Sequence, residues 1–355
     1  MPVRRREREP FAARLLRWFD RERRDLPWRR TRDPWAIWVS EVMLQQTRVE
    51  AVRAAFERFV TQYPTAAAFA AASDDELLLA WRGLGYYRRA RLLRDGARAV
   101  VREHGGRVPS TVTELAELPG VGAYTCGAIA SIAFGHGEIA VDGNVERVCA
   151  RHRGVRERID TGATRKSVRA TVAGWLDRAR PGDFNQALME LGAVVCTPSS
   201  PRCEKCPVSG DCVGFTTGDA AQLPVKKAPR AAVEVTARAV LVLGGDGALG
   251  HRLAADEANA GQIELPGPGV LVSAEPAELA AAVRARFGAL IEVGPVIATV
   301  RHAITHHRIV LRAHAATVRR RGRLQWFPLG PDTPWTTPAR KVFAAAIDGD
   351  ASLRA

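Results

Sequence analysis

Four of the six cysteines in this 355-residue chain fall between residues 196 and 212, and no other feature restricts the fold as tightly. Cys196, Cys203, Cys206 and Cys212 follow the spacing C-x6-C-x2-C-x5-C. Four thiols on so short a loop either pair into disulfides or converge on metal. The chain starts Met1-Pro2-Val3-Arg4-Arg5-Arg6 without an apolar signal core, so the expected compartment is the reducing cytosol, where metal is favoured over disulfides. Thiolates are soft ligands that suit either zinc or iron-sulfur. Structural zinc usually draws on two C-x2-C units; only one is present, so the spacing leans towards a 4Fe-4S cluster. Cys126 and Cys149 stand apart on expected helices and read as small buried apolar residues.

A metal loop needs a scaffold, and the sequence before it reads as helix after helix. Apolar residues recur at helical spacing over Phe11 to Phe19, Trp35 to Phe59, Asp74 to Trp81, Arg88 to Val101, Tyr124 to Phe134, Val145 to Arg153, Arg165 to Arg178 and Phe184 to Val195. No strand is expected before about residue 232. Residues 216–231 carry two prolines and few large apolar groups, as a linker does. Beyond them Val233 to Leu243, Val293 to Val300 and Arg308 to Ala316 alternate as strands, and Glu275 to Phe287 is an Ala-rich helix. The expected organisation is a helical domain over 1–215, a linker over 216–231 and a smaller α+β domain over 232–355.

Charge names the partner class. Lys plus Arg is 52 against 38 acidic residues, a formal net charge of +14. The excess is shared, with 35 basic and 26 acidic residues in 1–215 and 17 and 12 after that. A cationic surface on both halves points to a polyanion. No stretch approaches the roughly 18 uninterrupted apolar residues of a membrane span, so no membrane partner is expected.

Three further motifs carry chemistry. Leu118-Pro119-Gly120-Val121-Gly122 lies between a short helix opened by the capping box Thr111-x-x-Glu114 and a helix that begins near Ala123, a helix-hairpin-helix. Its glycines let backbone approach a phosphate, and the N–H groups of the second helix favour an anion; an ordinary turn between helices has the same composition. Ile139-Ala140-Val141-Asp142-Gly143-Asn144 places Asp142 and Asn144 at a helix start, where a helix cap is the simpler reading. In Ser40-Glu41-Val42-Met43-Leu44-Gln45-Gln46-Thr47, the helical neighbours of Glu41 are Ile37, Trp38 and Leu44. A carboxyl there either titrates late and serves as a general acid, or snorkels to water.

Taken together these residues resemble the helix-hairpin-helix DNA glycosylases with an iron-sulfur cluster, and within them the adenine DNA glycosylases of the MutY family. Leu26-Pro27-Trp28-Arg29, Ser40 to Thr47, Gly83-Leu84-Gly85-Tyr86-Tyr87-x-Arg89-Ala90-Arg91, Leu118 to Gly122, Val141 to Val148 and Asn185 to Gly192 stand in family order over nearly the whole chain. Relatives that also nick the strand carry a lysine two residues after the hairpin's second glycine. Here that place holds Tyr124, which implies hydrolysis without a Schiff base.

The resemblance implies roles residue by residue. Glu41 protonates the adenine; Asp142 stabilises the cationic sugar, supported by Tyr124 and Asn144. Trp28, Arg29, Leu44 and Glu190 line the base pocket, and Gln46 and Tyr86 wedge into the stack vacated by the flipped base. Thr47 and the hairpin Gly120, Val121 and Gly122 hold the backbone. Thr305 and His306 contact the opposite 8-oxoguanine. Cys196, Cys203, Cys206 and Cys212 hold the 4Fe-4S cluster. The family's usual aromatic before Thr305 is Ile304 here, and its Gly-Leu-Trp-Glu-Phe-Pro-Gly appears as Gly261-Gln262-Ile263-Glu264-Leu265-Pro266-Gly267. The second domain is similar to the Nudix fold, but Leu279 to Phe287 lacks the carboxylates that hold magnesium in Nudix hydrolases, so recognition is expected rather than pyrophosphatase activity. The expected function is a monofunctional glycosylase, monomeric and nucleoid-associated, that removes adenine paired with 8-oxoguanine or guanine in duplex DNA. The alternatives are an endonuclease III-like glycosylase/lyase acting on pyrimidines and a DNA-binding iron-sulfur protein without catalysis.

Overall fold

The computed structural model describes residues 9–349 apart from 229, 246 and 258, with the side chains of 347–349 excluded. Two compact units result: residues 1–72 with 89–228, and residues 73–88 with 229–355. The second grouping differs from the sequence expectation, because residues 73–88 lie inside the stretch assigned to the helical domain yet pack with the sheet.

The first unit is helical. Its elements are α1 (Phe11–Glu22), α2 (Pro34–Leu44), α3 (Val49–Gln62) and α4 (Ala66–Ala70), then, after α5 (Asp74–Ala80) of the other unit, α6 (Arg88–His104), α7 (Val112–Glu117), α8 (Ala123–Ile132), α9 (Gly143–Arg153), α10 (Gly162–Trp175), α11 (Pro181–Val194) and α12 (Val213–Thr216). Helix α2 starts sharply because Pro34 occupies its first turn and the Asp33 carboxylate accepts the N–H groups of Trp35 and Ala36. It is apolar all round: Trp35, Ile37, Trp38, Val39, Val42 and Met43 are all buried, which makes it a central helix rather than a surface one. A second core joins Leu15 and Phe19 of α1, Val145 and Val148 of α9, Val168 and Val172 of α10, and Phe184, Leu188 and Leu191 of α11.

One expected helix is broken. The apolar period runs unbroken from Trp35 to Phe59, but the chain leaves the helix after Leu44 and resumes at Val49, with Gln46 at φ +57°. The cause lies on α6. The buried Arg89 guanidinium donates to the carbonyls of Val42 (2.8 Å), Met43 (3.1 Å) and Gln45, and to Thr47 Oγ1 (3.0 Å), and so caps α2 from outside. Orphan carbonyls at a helix end are the groups such a cation satisfies best.

In the second unit β1 (Val233–Leu241) pairs parallel with β6 (His307–Arg320), which pairs antiparallel with β5 (Leu290–Ile304). A smaller antiparallel set has β3 (Gly247–Arg252) between β2 (Leu243–Gly244) and β4 (Ile263–Glu264), with β7 (Gln325–Pro328) also on β3. Helices α13 (Leu279–Phe287) and α14 (Thr337–Gly349) complete it. Strand alternation sorts β1: Val235, Ala237, Ala239 and Leu241 pack with Ala339, Val342 and Phe343 of α14, while Val240 packs with Leu279, Val283 and Phe287 of α13. The unit is α+β, as its texture suggests. Among the described residues the first strand begins at Val233. The linker expected over 216–231 begins instead with the last turn of α12 and a 3-10 turn over Ala220–Gln222.

Candidate active site

Four residues from three helices of the first unit meet. Glu41 is on α2, Tyr124 is the second residue of α8, Asp142 caps α9 and Asn144 lies in its first turn. Glu41 is 5% exposed, and the Tyr124 hydroxyl donates to its Oε2. Burial pushes the Glu41 carboxyl up to about 7; the Tyr124 hydrogen bond opposes this, the charge of Asp142 adds to it, and Arg29 pulls the other way. Burial likewise raises the Tyr124 phenol well above its ordinary value, and both Glu41 and Asp142 add to that rise. The two carboxylates therefore lie in one low-dielectric environment and feel each other.

Asp142 is both things the sequence allowed. It is a helix cap, with Oδ1 accepting from the N–H groups of Asn144 (2.9 Å) and Val145 (2.8 Å) and Oδ2 accepting from Asn144 Nδ2 (2.7 Å). It also carries a pKa raised by burial in spite of those bonds and of Arg147. Asn144 is fixed in turn, since its Oδ1 accepts from Arg147 Nη2 at 2.8 Å. The same guanidinium donates to the carbonyls of Gly192 (2.8 Å) and Cys196 (2.8 Å). The close approach of α11 to α9 needs a glycine: a Cβ on Gly192 would stand 2.6 Å from the Cβ of Asn144.

One turn further along α9, the fully buried Arg151 donates to Cys196 Sγ (3.3 Å) and to the carbonyls of Thr197 (2.7 Å), Pro198 (2.8 Å) and Leu223 (2.8 Å). Asn144, Arg147 and Arg151 form one stripe of α9 that runs from the carboxylate to the cysteine loop. Sequence reasoning gave no role to the two arginines, because arginine on a helix normally reads as a solvated face. Their signal was the i, i+3, i+7 spacing from Asn144.

The four loop cysteines are free and only partly exposed. Burial and the mutual repulsion of their charges push Cys206 up to about 12, and burial raises Cys203 and Cys212 as well. Four soft sulfur donors on one short loop suit an iron-sulfur cluster, and the Arg151 guanidinium beside Cys196 Sγ adds positive charge next to them. Among the described residues no three His, Cys, Asp or Glu side chains converge on one ion. A cubane spreads its thiolates over four irons, so the donor set fits a cluster without such convergence.

The other expected residues distribute as follows. Glu190 is buried and taken up: its oxygens accept from Arg24 Nε (2.8 Å) and Nη2 (2.7 Å) and from Arg29 Nη2 (2.9 Å). Burial would raise its carboxyl, but the two guanidiniums outweigh it and hold it down to about 2. Glu190 thus anchors Arg29, and Arg24 is a further partner that the sequence did not reveal. Trp28 is buried edge-on to Phe56, and Leu44 is half-buried at the end of α2. Gly120, with φ +79°, and Gly122 are exposed, Val121 is buried, and α8 starts without a side-chain cap, which leaves its first N–H groups for an anion. Gln46 is exposed and Thr47 is half-buried. In the second unit Tyr86 is 50% exposed, and Thr305 and His306 form the two-residue turn between β5 and β6. Four non-glycine residues have positive φ among the described residues, and Gln46, Tyr86 and Thr305 are three of them. Strain of this kind collects at functional sites.

The chain is similar to known proteins over the same stretch. The family described as HhH-GPD superfamily base excision DNA repair protein matches residues 39–174, and the iron-sulfur binding domain of endonuclease III matches residues 196–212. The human adenine DNA glycosylase is 49% identical over 211 residues, covering 57% of this chain and 39% of that protein. The adenine DNA glycosylase of Mycolicibacterium smegmatis is 44% identical over 196 residues, covering 55% of this chain and 66% of its own. The chain thus spans about two fifths of the length of the human relative. Among solved structures, a thermostable thymine-DNA glycosylase superposes with a TM-score of 0.53 at 32% identity, covering 58% of this chain and 95% of that one. On these matches the chain belongs to the helix-hairpin-helix superfamily of base excision DNA repair proteins and carries that superfamily's iron-sulfur loop.

Proposed function

We propose that the protein is a monofunctional, monomeric glycosylase that hydrolyses the N-glycosidic bond of adenine paired with 8-oxoguanine or guanine. The observation that carries this reading is the environment shared by Glu41 and Asp142, one carboxyl raised to about 7 and the other also raised, with the Tyr124 hydroxyl bonded to Glu41. Cutting this bond requires an acid at the departing base and a carboxylate at the oxocarbenium-like sugar. Glu41, half protonated near neutrality, delivers its proton to N7 of adenine. Asp142 has its oxygens held by the Asn144 and Val145 N–H groups and faces the developing positive charge. Asn144 fixes the Asp142 carboxylate, and Tyr124 keeps Glu41 in its rotamer. None of the five lysines lies on α2, α8, α9 or α11, which supports hydrolysis over amine attack.

Adenine reaches this site by flipping, with Gln46 and Tyr86 filling the gap in the stack. The exposed start of α8 with Gly120 and Gly122 grips phosphates, and Thr305 and His306 read the opposite base. The second unit then serves as a Nudix-like reader without the carboxylates of a hydrolase on α13. Cys196, Cys203, Cys206 and Cys212 would hold the cluster, which supplies cross-linking of the loop. Ile304 beside the reading turn stacks less well than a ring, so a modest preference for 8-oxoguanine over guanine is expected.

Single-turnover release of adenine opposite 8-oxoguanine, guanine and cytosine tests the reading. Excision in the first two contexts is expected, with no covalent adduct after borohydride; an adduct would favour the glycosylase/lyase alternative, and adenine left unreleased in every context would overturn catalysis.

A further inference from the structure

The loop that carries Tyr86 is built into the sheet unit, and three ties hold it there. The Asp75 carboxylate accepts from both terminal nitrogens of Arg252 on β3 (2.6 and 3.2 Å). The Arg82 guanidinium donates to the carbonyl of Pro331 at 2.6 Å. The hydroxyl of Tyr87, 6% exposed, hydrogen-bonds the side chain of Gln262, 3% exposed. Two of these converge on one turn, because Arg252 also donates to the carbonyl of Gly261 at 2.7 Å, next to Gln262.

Between the ties the backbone is forced. Gly83, Gly85 and Tyr86 have φ of +90°, +66° and +47°, and the Trp81 indole N–H closes the loop on the Gly85 carbonyl at 3.1 Å. An aromatic residue keeps a left-handed backbone and a half-exposed ring only where its surroundings dictate both. Buried Tyr87 beside exposed Tyr86 supplies that control: fixing one residue aims the next. Gln262 stands where the related motif has leucine, so this hydrogen bond is a feature of the present chain.

We propose that Gln262, Arg252 and Asp75 are positioning residues for Tyr86, so that the unit bearing the Thr305–His306 turn also sets the wedge. This rests on the adenine-excision reading. Selection for the opposite base then comes partly from how well Tyr86 is aimed, and not only from contacts to that base.

The test uses the full-length protein with Gln262→Leu, with Arg252→Ala, and with the charge swap Asp75→Arg/Arg252→Asp. Base flipping is read by 2-aminopurine fluorescence in place of adenine, and excision by single-turnover rates, each opposite 8-oxoguanine and guanine. Both single variants are expected to lower flipping and excision opposite 8-oxoguanine about tenfold and opposite guanine less, so the ratio narrows. The swap is expected to restore the ratio, and the pH dependence of cutting should stay as in the parent. Unchanged flipping, or equal losses opposite both bases, would overturn the proposal. A parent protein that flips 2-aminopurine but releases no adenine would overturn the functional reading instead, and the flipping comparison would still decide the role of the loop.

Discussion

The hydroxyl of the half-buried Tyr124 donates to the buried carboxyl of Glu41. Because burial holds Glu41 at about 7, its protonated form is still abundant at neutral pH. Single-turnover excision is therefore expected to fall about tenfold per unit above about pH 8, and to fall again in acid as the Asp142 carboxylate, itself raised by burial, takes up a proton. A rate that rises with pH above neutrality would assign Glu41 the role of base.

The same carboxyl costs stability. A group whose folded pKa is raised from 4.5 to about 7 favours the fold at low pH, and that advantage is lost as pH rises from 4.5 through 7. At about 1.4 kcal/mol per unit, the charged Glu41 costs on the order of 3 kcal/mol above neutrality. Glu41→Gln is expected to abolish excision, to retain duplex binding, and to raise the melting temperature at pH 8 by several degrees while leaving it unchanged at pH 4. Calorimetry at the two pH values checks this. Asp142→Asn should likewise stop excision and leave duplex binding intact.

Glu190 behaves in the opposite sense. Its carboxyl, held down to about 2 by Arg24 and Arg29, contributes stability that is present above pH 4.5 and lost as pH falls towards 2. Glu190→Gln strands two guanidiniums on a neutral amide and is expected to destabilise by about 3 kcal/mol at pH 7, with the deficit shrinking at pH 3. Urea unfolding at both pH values measures it.

Arg147 joins Asn144 to the carbonyls of Gly192 and Cys196. Arg147→Lys keeps the charge but cannot serve three acceptors from a planar fork. Excision is expected to drop by about tenfold to a hundredfold, with loss of about 1–3 kcal/mol of stability from unsatisfied carbonyls. If kcat falls while DNA affinity holds, Arg147 acts through Asn144; equal losses in both would mark a general folding defect.

Removing a loop cysteine tests the other end of that stripe. Cys203→Ser is expected to lose the visible absorbance of the cluster and, if the loop's two cations Arg202 and Lys205 meet phosphates, to weaken duplex binding with log K less steep in log salt. Unchanged affinity and salt slope in cluster-free protein would separate the loop from DNA.

Most of the helical unit was legible because its periodicities are long and its caps are ordinary: the Asp33-Pro34 start of α2 and the Thr111 cap of α7 follow from local rules. Glu41 was half legible: its apolar helical neighbours allowed a buried acid, but a side chain that snorkels to water fitted the sequence equally, and the structure decides for burial. What escaped the sequence was set by distant partners. Arg24 declares itself only through Glu190, and the gap between α2 and α3 only through Arg89. Helices α4 and α14 and strands β3, β4 and β7 were missed; α4, β4 and β7 are short, and the three strands take their identity from neighbours more than from alternation.

That gap makes residues 45–48 a latch. Left to its own preferences the segment would wind onward and merge two helices into one rod, carrying Gln46 round to a different side. It stays open because a single cation from α6 occupies the carbonyls that the next turn would use, so the shape of the loop is on loan from a helix remote in sequence and lasts only as long as that guanidinium stays in place.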